Sequence, residues 1–151
     1  MSYAYDTIAD IIRLAEENNI SFGDVVLRYE LENYDRNEDA VIREIEHRLD
    51  IFESSIQDGI AYAEKTASGM SGGQAAQLNG QTPRFMSDIA YKAMTYAIAV
   101  NEANAKMFRI VACPTAGSCG VMPGAVKAVA DHYQLDRATV VKGFLAASGI
   151  G

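Results

Sequence analysis

The sequence predicts an all-α fold, a multi-helix bundle with one long amphipathic helix and glycine-rich loops between helices. Three observations predict it. Apolar residues recur at spacings of three and four through most of the 151 residues. No run alternates apolar and polar residues as a half-buried strand does. The breaks between periodic stretches carry glycine, proline, serine and asparagine, the residues of turns and caps.

Each element follows from local chemistry. Residues 7–18 place Ile8, Ile11, Ile12 and Ala15 on one face, with Asp6 as the expected cap and Asn18-Asn19 as the stop. Ser21 opens a second helix, with Asp24 three residues later as an acidic capping box and Phe22, Val25, Val26 and Tyr29 as its stripe. A third helix is expected from about Asn37 to Thr66, because Ile42, Ile45, Leu49, Phe52, Ile56, Ile60 and Ala63 form an almost coiled-coil seam. Its other face carries Arg43, Glu44, Glu46 and Arg48, either a solvated face or a surface for a partner subunit. The stretch Ser68-Gly69-Met70-Ser71-Gly72-Gly73 reads as a loop. Thr82 with Pro83 at the first helical position is the expected start of a helix striped by Phe85, Ile89, Ala93, Ala97 and Val100. Another helix runs from Val121 to His132, with Pro123 tolerable in its first turn. Asp136 caps a last helix with Val140, Val141, Phe144 and Leu145 apolar, and Ser148-Gly149-Ile150-Gly151 reads as the start of another loop on which the chain stops.

Composition narrows the function. Residues 1–65 carry 16 acidic and 6 basic side chains, whereas residues 66–151 carry 4 and 7, so the overall charge of −7 belongs to the first part. Residues 1–151 are accordingly expected as a single truncated domain, with an acidic helical layer, 1–66, and a glycine-rich part, 67–151. An acidic chain without a basic patch argues against nucleic acid and anionic membranes. No apolar run approaches the roughly 18 residues of a spanning helix. Two cysteines and the lack of a basic-then-apolar leader point to a reducing cytoplasm.

The mildly positive part is the place to look for a small anionic ligand. Pro114-Thr115-Ala116-Gly117-Ser118-Cys119-Gly120 leads into a helix, and successive N–H groups there can form an anion nest, with Thr115 and Ser118 adding hydroxyls. The same residues also suit a plain turn with Ser118 as a cap. The motif lacks the Gly-Lys-Ser/Thr ending of a P-loop, and no strand frames it as a dinucleotide fingerprint. Asn101 and Asn104, three apart on one helical face, can bind polar groups of a ligand or tie down the following loop. Cys113 and Cys119 are too widely spaced for a zinc or thioredoxin pair, and neither His47 nor His132 stands in ligand spacing with them. Cys113 reads as a core residue, whereas Cys119, inside the loop, reads as partly exposed.

These residues carry a family resemblance over essentially the whole chain. Asn101-Glu102-x-Asn104-Ala105-x-Met107, followed by Ala112-x-Pro114-Thr115-Ala116-Gly117-Ser118-x-Gly120-Val121-x-Pro123-Gly124, resembles the bacterial iron–sulfur-dependent L-serine dehydratases (L-serine ammonia-lyases), specifically the alpha subunit of the two-subunit form. Ser68 to Gly73 resembles the family's Ser/Thr-Gly-Gly loop. The resemblance implies a lyase of serine catabolism and gluconeogenesis that converts L-serine to pyruvate and ammonia with a 4Fe-4S cluster, one iron of which acts as a Lewis acid on the substrate hydroxyl. It implies a beta subunit as partner, and substrate binding by Thr115, Ala116, Gly117, Ser118 and Gly120 with Asn101 and Asn104. The general base is not identified by it.

This sequence departs from the family at several points. Ala116 stands where many relatives have Asn, and Phe108 where Gly is common. The family's cluster cysteines follow a Gly-Cys-Gln stretch and a later Cys-Asp-Pro…Pro-Cys segment, and neither Cys113 nor Cys119 matches them. The expectation is an N-terminal portion of an alpha subunit that holds no metal or cluster itself and is inactive alone. The alternative is a helical interaction or structural module without catalysis. A truncated helical array leaves apolar faces on the 84–107 and 137–148 helices, so a homo-oligomer is expected. Light scattering after size exclusion checks this: a dimer or larger is expected, and a clean monomer at high concentration contradicts it.

Overall fold

A computed structural model describes residues 2–150. Among them lie seven α-helices and one 3₁₀ turn, with no strand, as the periodicity predicts. The helices are α1 (Ile8–Asn18), α2 (Phe22–Tyr34), α3 (Glu38–Ala61), α4 (Gln74–Leu78), α5 (Asp88–Ala105), α6 (Val121–Tyr133) and α7 (Arg137–Ile150), with the 3₁₀ turn at Ala116–Ser118. The chain forms two compact units, Met1–His47 with Asp136–Gly151, and Arg48–Leu135. α3 contributes residues to both.

In the first unit, reciprocal caps define where helices begin. The cap of α1 is Thr7, not Asp6: its hydroxyl accepts from Asp10 N–H at 3.2 Å and the Asp10 carboxylate accepts from Thr7 N–H at 3.1 Å. Threonine wins because it has an acidic residue three positions on, which completes the box. Ser21 and Asp24 make the same pair at 3.2 and 3.1 Å, as the sequence predicts. Ile11, Leu14 and Ala15 of α1 pack with Tyr3 and with Val25 of α2. Ile8 and Ile12, expected on the buried stripe, are 52% and 40% exposed, so the buried face is rotated toward Leu14. α2 lies against α7 so closely that a Cβ on Gly23 would collide with the Lys142 carbonyl, and one on Gly149 with Val26. Lys142 pairs with Asp24 at 3.0 Å across this contact. The capped α7 continues through Ser148, Gly149 and Ile150, so these are a helical turn rather than the start of a loop, and Gly151 lies outside the described residues. Gly149 permits this because α7 has to approach α2 there.

α3 buries Val41, Ile45, Leu49, Phe52 and Ile56 along one seam, and ends at Ala61 rather than near Thr66. It ends there because Gly72 and Gly73 fold back onto the backbone of Ala63 to Lys65, where Ala63 is exposed and no longer helical. Both glycines have left-handed φ, 118° and 85°, and a Cβ on either would meet main-chain atoms, so this return requires glycine.

The second unit is organised around α5. It starts at Asp88 with Ser87 as cap, five residues after the expected cap Thr82. Ser87 followed by the acidic Asp88 suits a positive helix start better than Thr82-Pro83. Phe85, expected on the apolar stripe, is 97% exposed ahead of the helix. α6 packs against α5 through glycines: Gly124 has Ala93 O 2.6 Å from where a Cβ would stand, and Gly120 sits on the Ala97 carbonyl. Pro123 is buried in the first turn of α6, where no N–H is needed. Tyr96 on α5 donates to Asp131 on α6 at 3.0 Å, and burial together with that bond pushes its hydroxyl pKa up to about 12. α4 has no counterpart in the sequence reading. Its Ala75 joins Ile56, Ala99, Val100 and Cys119 in one fully enclosed cluster.

Two glycines test the packing in opposite directions. Gly59 of α3 stands directly on the Ala99 backbone, with no space for a Cβ. Gly59→Ala is expected to destabilise by about 1–3 kcal/mol, the usual cost of overpacking against atoms that cannot yield. Gly143 of α7 has nothing within 4 Å of its Cβ position. Gly143→Ala is expected to stabilise by about 0.5–1 kcal/mol through helix propensity alone. Urea unfolding of both variants measures the pair, and equal effects contradict the packing described.

Candidate functional site

The last turns of α5 anchor two loops. The first is the 66–73 segment, closed by Thr66 N–H donating to Ser71 O and Gly69 N–H donating to Thr66 O, both at 2.8 Å. Thr66 and Ser68 hydroxyls meet at 3.1 Å on its exposed side. The second is the Thr115–Gly120 loop, which follows a cis Cys113–Pro114 peptide and opens α6.

Within the second loop the structure brings Thr115 and Ser118 together as a miniature capping box. Thr115 N–H donates to Ser118 Oγ, and Ser118 N–H to Thr115 Oγ1, each at 3.3 Å, with the hydroxyls 3.0 Å apart. Of the successive N–H groups that the sequence offers to a ligand, those of Thr115 and Ser118 are thus engaged within the loop, whose Thr115, Ala116 and Gly117 are exposed. Ala116 and Gly117 occupy the first positions of the 3₁₀ turn, where N–H groups have no intrahelical carbonyl. Gly120 is buried against α5 and leaves the start of α6 without a side-chain cap.

Asn104 ties this loop down, its Nδ2 donating to Ala116 O at 3.1 Å. Asn101 turns back on its own helix instead, donating from Nδ2 to Ala97 O at 3.0 Å, while the Cys119 thiol points to its Oδ1 at 3.7 Å. The two asparagines that share a face therefore hold neighbouring parts of one loop.

The residue that sequence reasoning passed over is Glu102. It is 2% exposed, and its carboxyl oxygens accept from Gly73 N–H at 2.9 Å and Gln74 N–H at 2.8 Å. This fastens the end of the 66–73 loop and the start of α4 to α5. Its signal, an acidic residue on an otherwise small and apolar helical stretch, was present in the sequence. The adjacent Lys106 donates to the Tyr62 carbonyl, and the Tyr62 and Phe108 rings meet at 4.9 Å between centroids.

The two thiols trade the places expected of them. Cys119 is wholly buried in the cluster with Val100, and Cys113 is half-buried with its Sγ 3.5 Å from Met122 Sδ. Burial pushes both thiols above their ordinary pKa, and the nearby Arg48 offsets this in part for Cys113. An iron–sulfur cluster takes four cysteine thiolates. Two protonated thiols, one of them sealed in the core, do not fit that set. Among the described residues no group of three His, Cys, Asp or Glu side chains could hold a metal ion. Because a raised pKa keeps a thiol in its unreactive form until the pH rises through it, iodoacetamide labelling at pH 7 is expected to be slow and to accelerate above pH 9. Mass spectrometry is expected to find Cys113 labelled before Cys119, and the reverse order contradicts the burial.

Residues 17–151 match the family described as Serine dehydratase alpha chain. The L-serine dehydratase alpha chain of Peptoniphilus asaccharolyticus is 32% identical over 149 residues, covering 97% of this chain and 51% of that protein. The probable L-serine dehydratase alpha chain of Bacillus subtilis (strain 168) is 28% identical over 150 residues, covering 97% of this chain and 50% of that protein. An L-serine dehydratase of Streptomyces coelicolor is 28% identical over 161 residues, which take in all of this chain and 34% of that protein. The chain spans about half the length of the alpha chains it matches. With a family match over residues 17–151 and a relative 32% identical across 97% of its length, the chain belongs to the serine dehydratase alpha chain family.

Proposed function

We propose that this chain is the substrate-loop portion of an L-serine dehydratase, a lyase that removes the α-proton and the β-hydroxyl of L-serine as water to leave aminoacrylate, which tautomerises to an imine that a water molecule hydrolyses to pyruvate and ammonia. The observation that carries the reading is the Thr115–Gly120 loop at the uncapped start of α6, exposed at Thr115, Ala116 and Gly117 and pinned through Ala116 by Asn104. The N-terminal end of a helix favours a negative group, and here it stands beside two hydroxyls. The substrate carboxylate is received by N–H groups at Ala116 and Gly117 and by the hydroxyls of Thr115 and Ser118, which turn from each other to the ligand. Gly120 brings the loop close to α5, and Asn101 and Asn104 keep it there. Binding the carboxylate fixes the amino acid so that its α-proton and hydroxyl face the reacting groups.

The family's 4Fe-4S cluster would polarise the departing hydroxyl, but the residues of this chain do not supply its ligands. A beta subunit completes the enzyme, in keeping with the alpha-chain names of the relatives. A reducing cytoplasm suits two unpaired thiols. No helix among the described residues is long and apolar enough to cross a membrane. The internally paired N–H groups of Thr115 and Ser118 favour a second reading, in which the loop is only a turn of a helical interaction module.

Kinetics separate the two. In the enzyme assembled with its partner chain, Thr115→Ala and Ser118→Ala are each expected to lower kcat/KM for L-serine about tenfold or more, the worth of one hydrogen bond to a charged group. Unchanged kinetics would place the loop outside the site. The isolated chain, treated anaerobically with iron and sulfide, is expected to acquire no stoichiometric cluster absorbance and to form no pyruvate. Cluster with turnover would overturn that expectation.

A further inference from the structure

The turn after α4 closes onto the first turns of α5. Tyr91 Oη donates to the Leu78 carbonyl at 3.2 Å, and Gln81 N–H donates to the same oxygen at 3.1 Å. Two adjoining cavities border this turn, about 240 and 330 Å³ in volume, and Gln81, Tyr91 and Lys92 line both. The larger is lined as well by Asp88 of α5 and His132 of α6. Its frame is held, Tyr91 by the bond to Leu78 and α6 by the Tyr96–Asp131 bond at 3.0 Å. Its charged groups are uncommitted: among the described residues, the side chains of Gln81, Asp88 and Lys92 have no hydrogen-bond or ion-pair partner.

Asp88 and Lys92 stand four residues apart, the spacing at which a carboxylate and an ammonium group pair across one helical turn. Here both line the cavity without pairing. A simple anion would be drawn by Lys92 and repelled by Asp88, and a simple cation the reverse. A molecule that carries an ammonium group and a carboxylate close together satisfies both. The volume stands at the lower end of the roughly 300–1,000 Å³ of small-molecule sites, which suits a free amino acid rather than a dinucleotide.

We propose that this cavity is a second, non-catalytic amino-acid site, which takes a small zwitterionic α-amino acid with its ammonium group at Asp88 and its carboxylate at Lys92. Gln81 offers an amide to the same ligand, and Tyr91 and His132 wall it in. The site is separate from the Thr115–Gly120 loop, because Lys92 lies twelve residues before Asn104 on α5, a rise of about 18 Å. It therefore does not rest on the dehydratase reading.

The probe is L-alanine, which lacks the hydroxyl of serine, with propionate and isopropylamine as analogues that each keep one charge. In the 15N-labelled chain, L-alanine is expected to shift the amide signals of Gly80, Gln81 and Lys92 saturably, with a millimolar Kd because both charges are exposed. Each single-charge analogue is expected to bind about tenfold more weakly or worse, the worth of one charged hydrogen bond. Asp88→Asn and Lys92→Gln, both at exposed positions outside the core, are each expected to weaken L-alanine about tenfold. No saturable shift at these signals overturns the site. An analogue that binds as tightly as L-alanine, or L-alanine binding unchanged in both variants, overturns the assignment of its two charges. Shifts at Ala116 and Gly117 report the other loop, so failure of the dehydratase reading there leaves this result standing.

Discussion

The pair of hydrogen bonds from Gly73 and Gln74 to Glu102 is the constraint on which the second unit depends. An unpartnered polar group in the interior costs about 1–3 kcal/mol, so the loop cannot drift from the helix without exposing Glu102 to that penalty. The same two bonds satisfy donors at the start of α4, a helix of five residues too short to persist unaided. Ala75 is thereby delivered to the cluster that also receives Cys119, and the two glycine loops become parts of one assembly.

Close backbone approach supplies the other half of the architecture. Gly59 on Ala99, Gly120 on Ala97 and Gly124 on Ala93 and Ala97 bring α3 and α6 against α5 with no side chain between them. Helices this near leave the chain little freedom where it emerges, and the loop before α6 starts from a fixed point. Asn104 then needs a single bond to Ala116 to complete its placement. Order at the surface is inherited from contacts in the interior.

Features set by neighbours in sequence were legible. The Ser21–Asp24 box, the α3 seam and the Pro123 helix start each depend on residues within a turn or two of one another. Even the local miss at α1 had its signal, since Thr7 followed by Asp10 is the same pattern as Ser21 and Asp24. Thr82-Pro83 misled because a better cap, Ser87-Asp88, follows it, and propensity alone does not rank two adjacent starts. The Glu102 bonds were not legible, because their partners lie 28 and 29 residues away. Cys119 was misplaced for the same reason: its burial is decided by Ala75, Ile56 and Val100, none of which is near it in the chain. The site loop was visible as a loop, whereas the mutual pairing of Thr115 and Ser118 shows only in three dimensions.

We propose that the start of α6 receives the carboxylate of an amino acid. Titrating the 15N-labelled chain with L-serine and, separately, with serinol tests it most directly, since serinol keeps the amine and hydroxyl but lacks the carboxylate. The account predicts that L-serine shifts the amide signals of Ala116, Gly117 and Ser118 and that serinol leaves them in place. Equal shifts with both compounds, or none with L-serine, would contradict it.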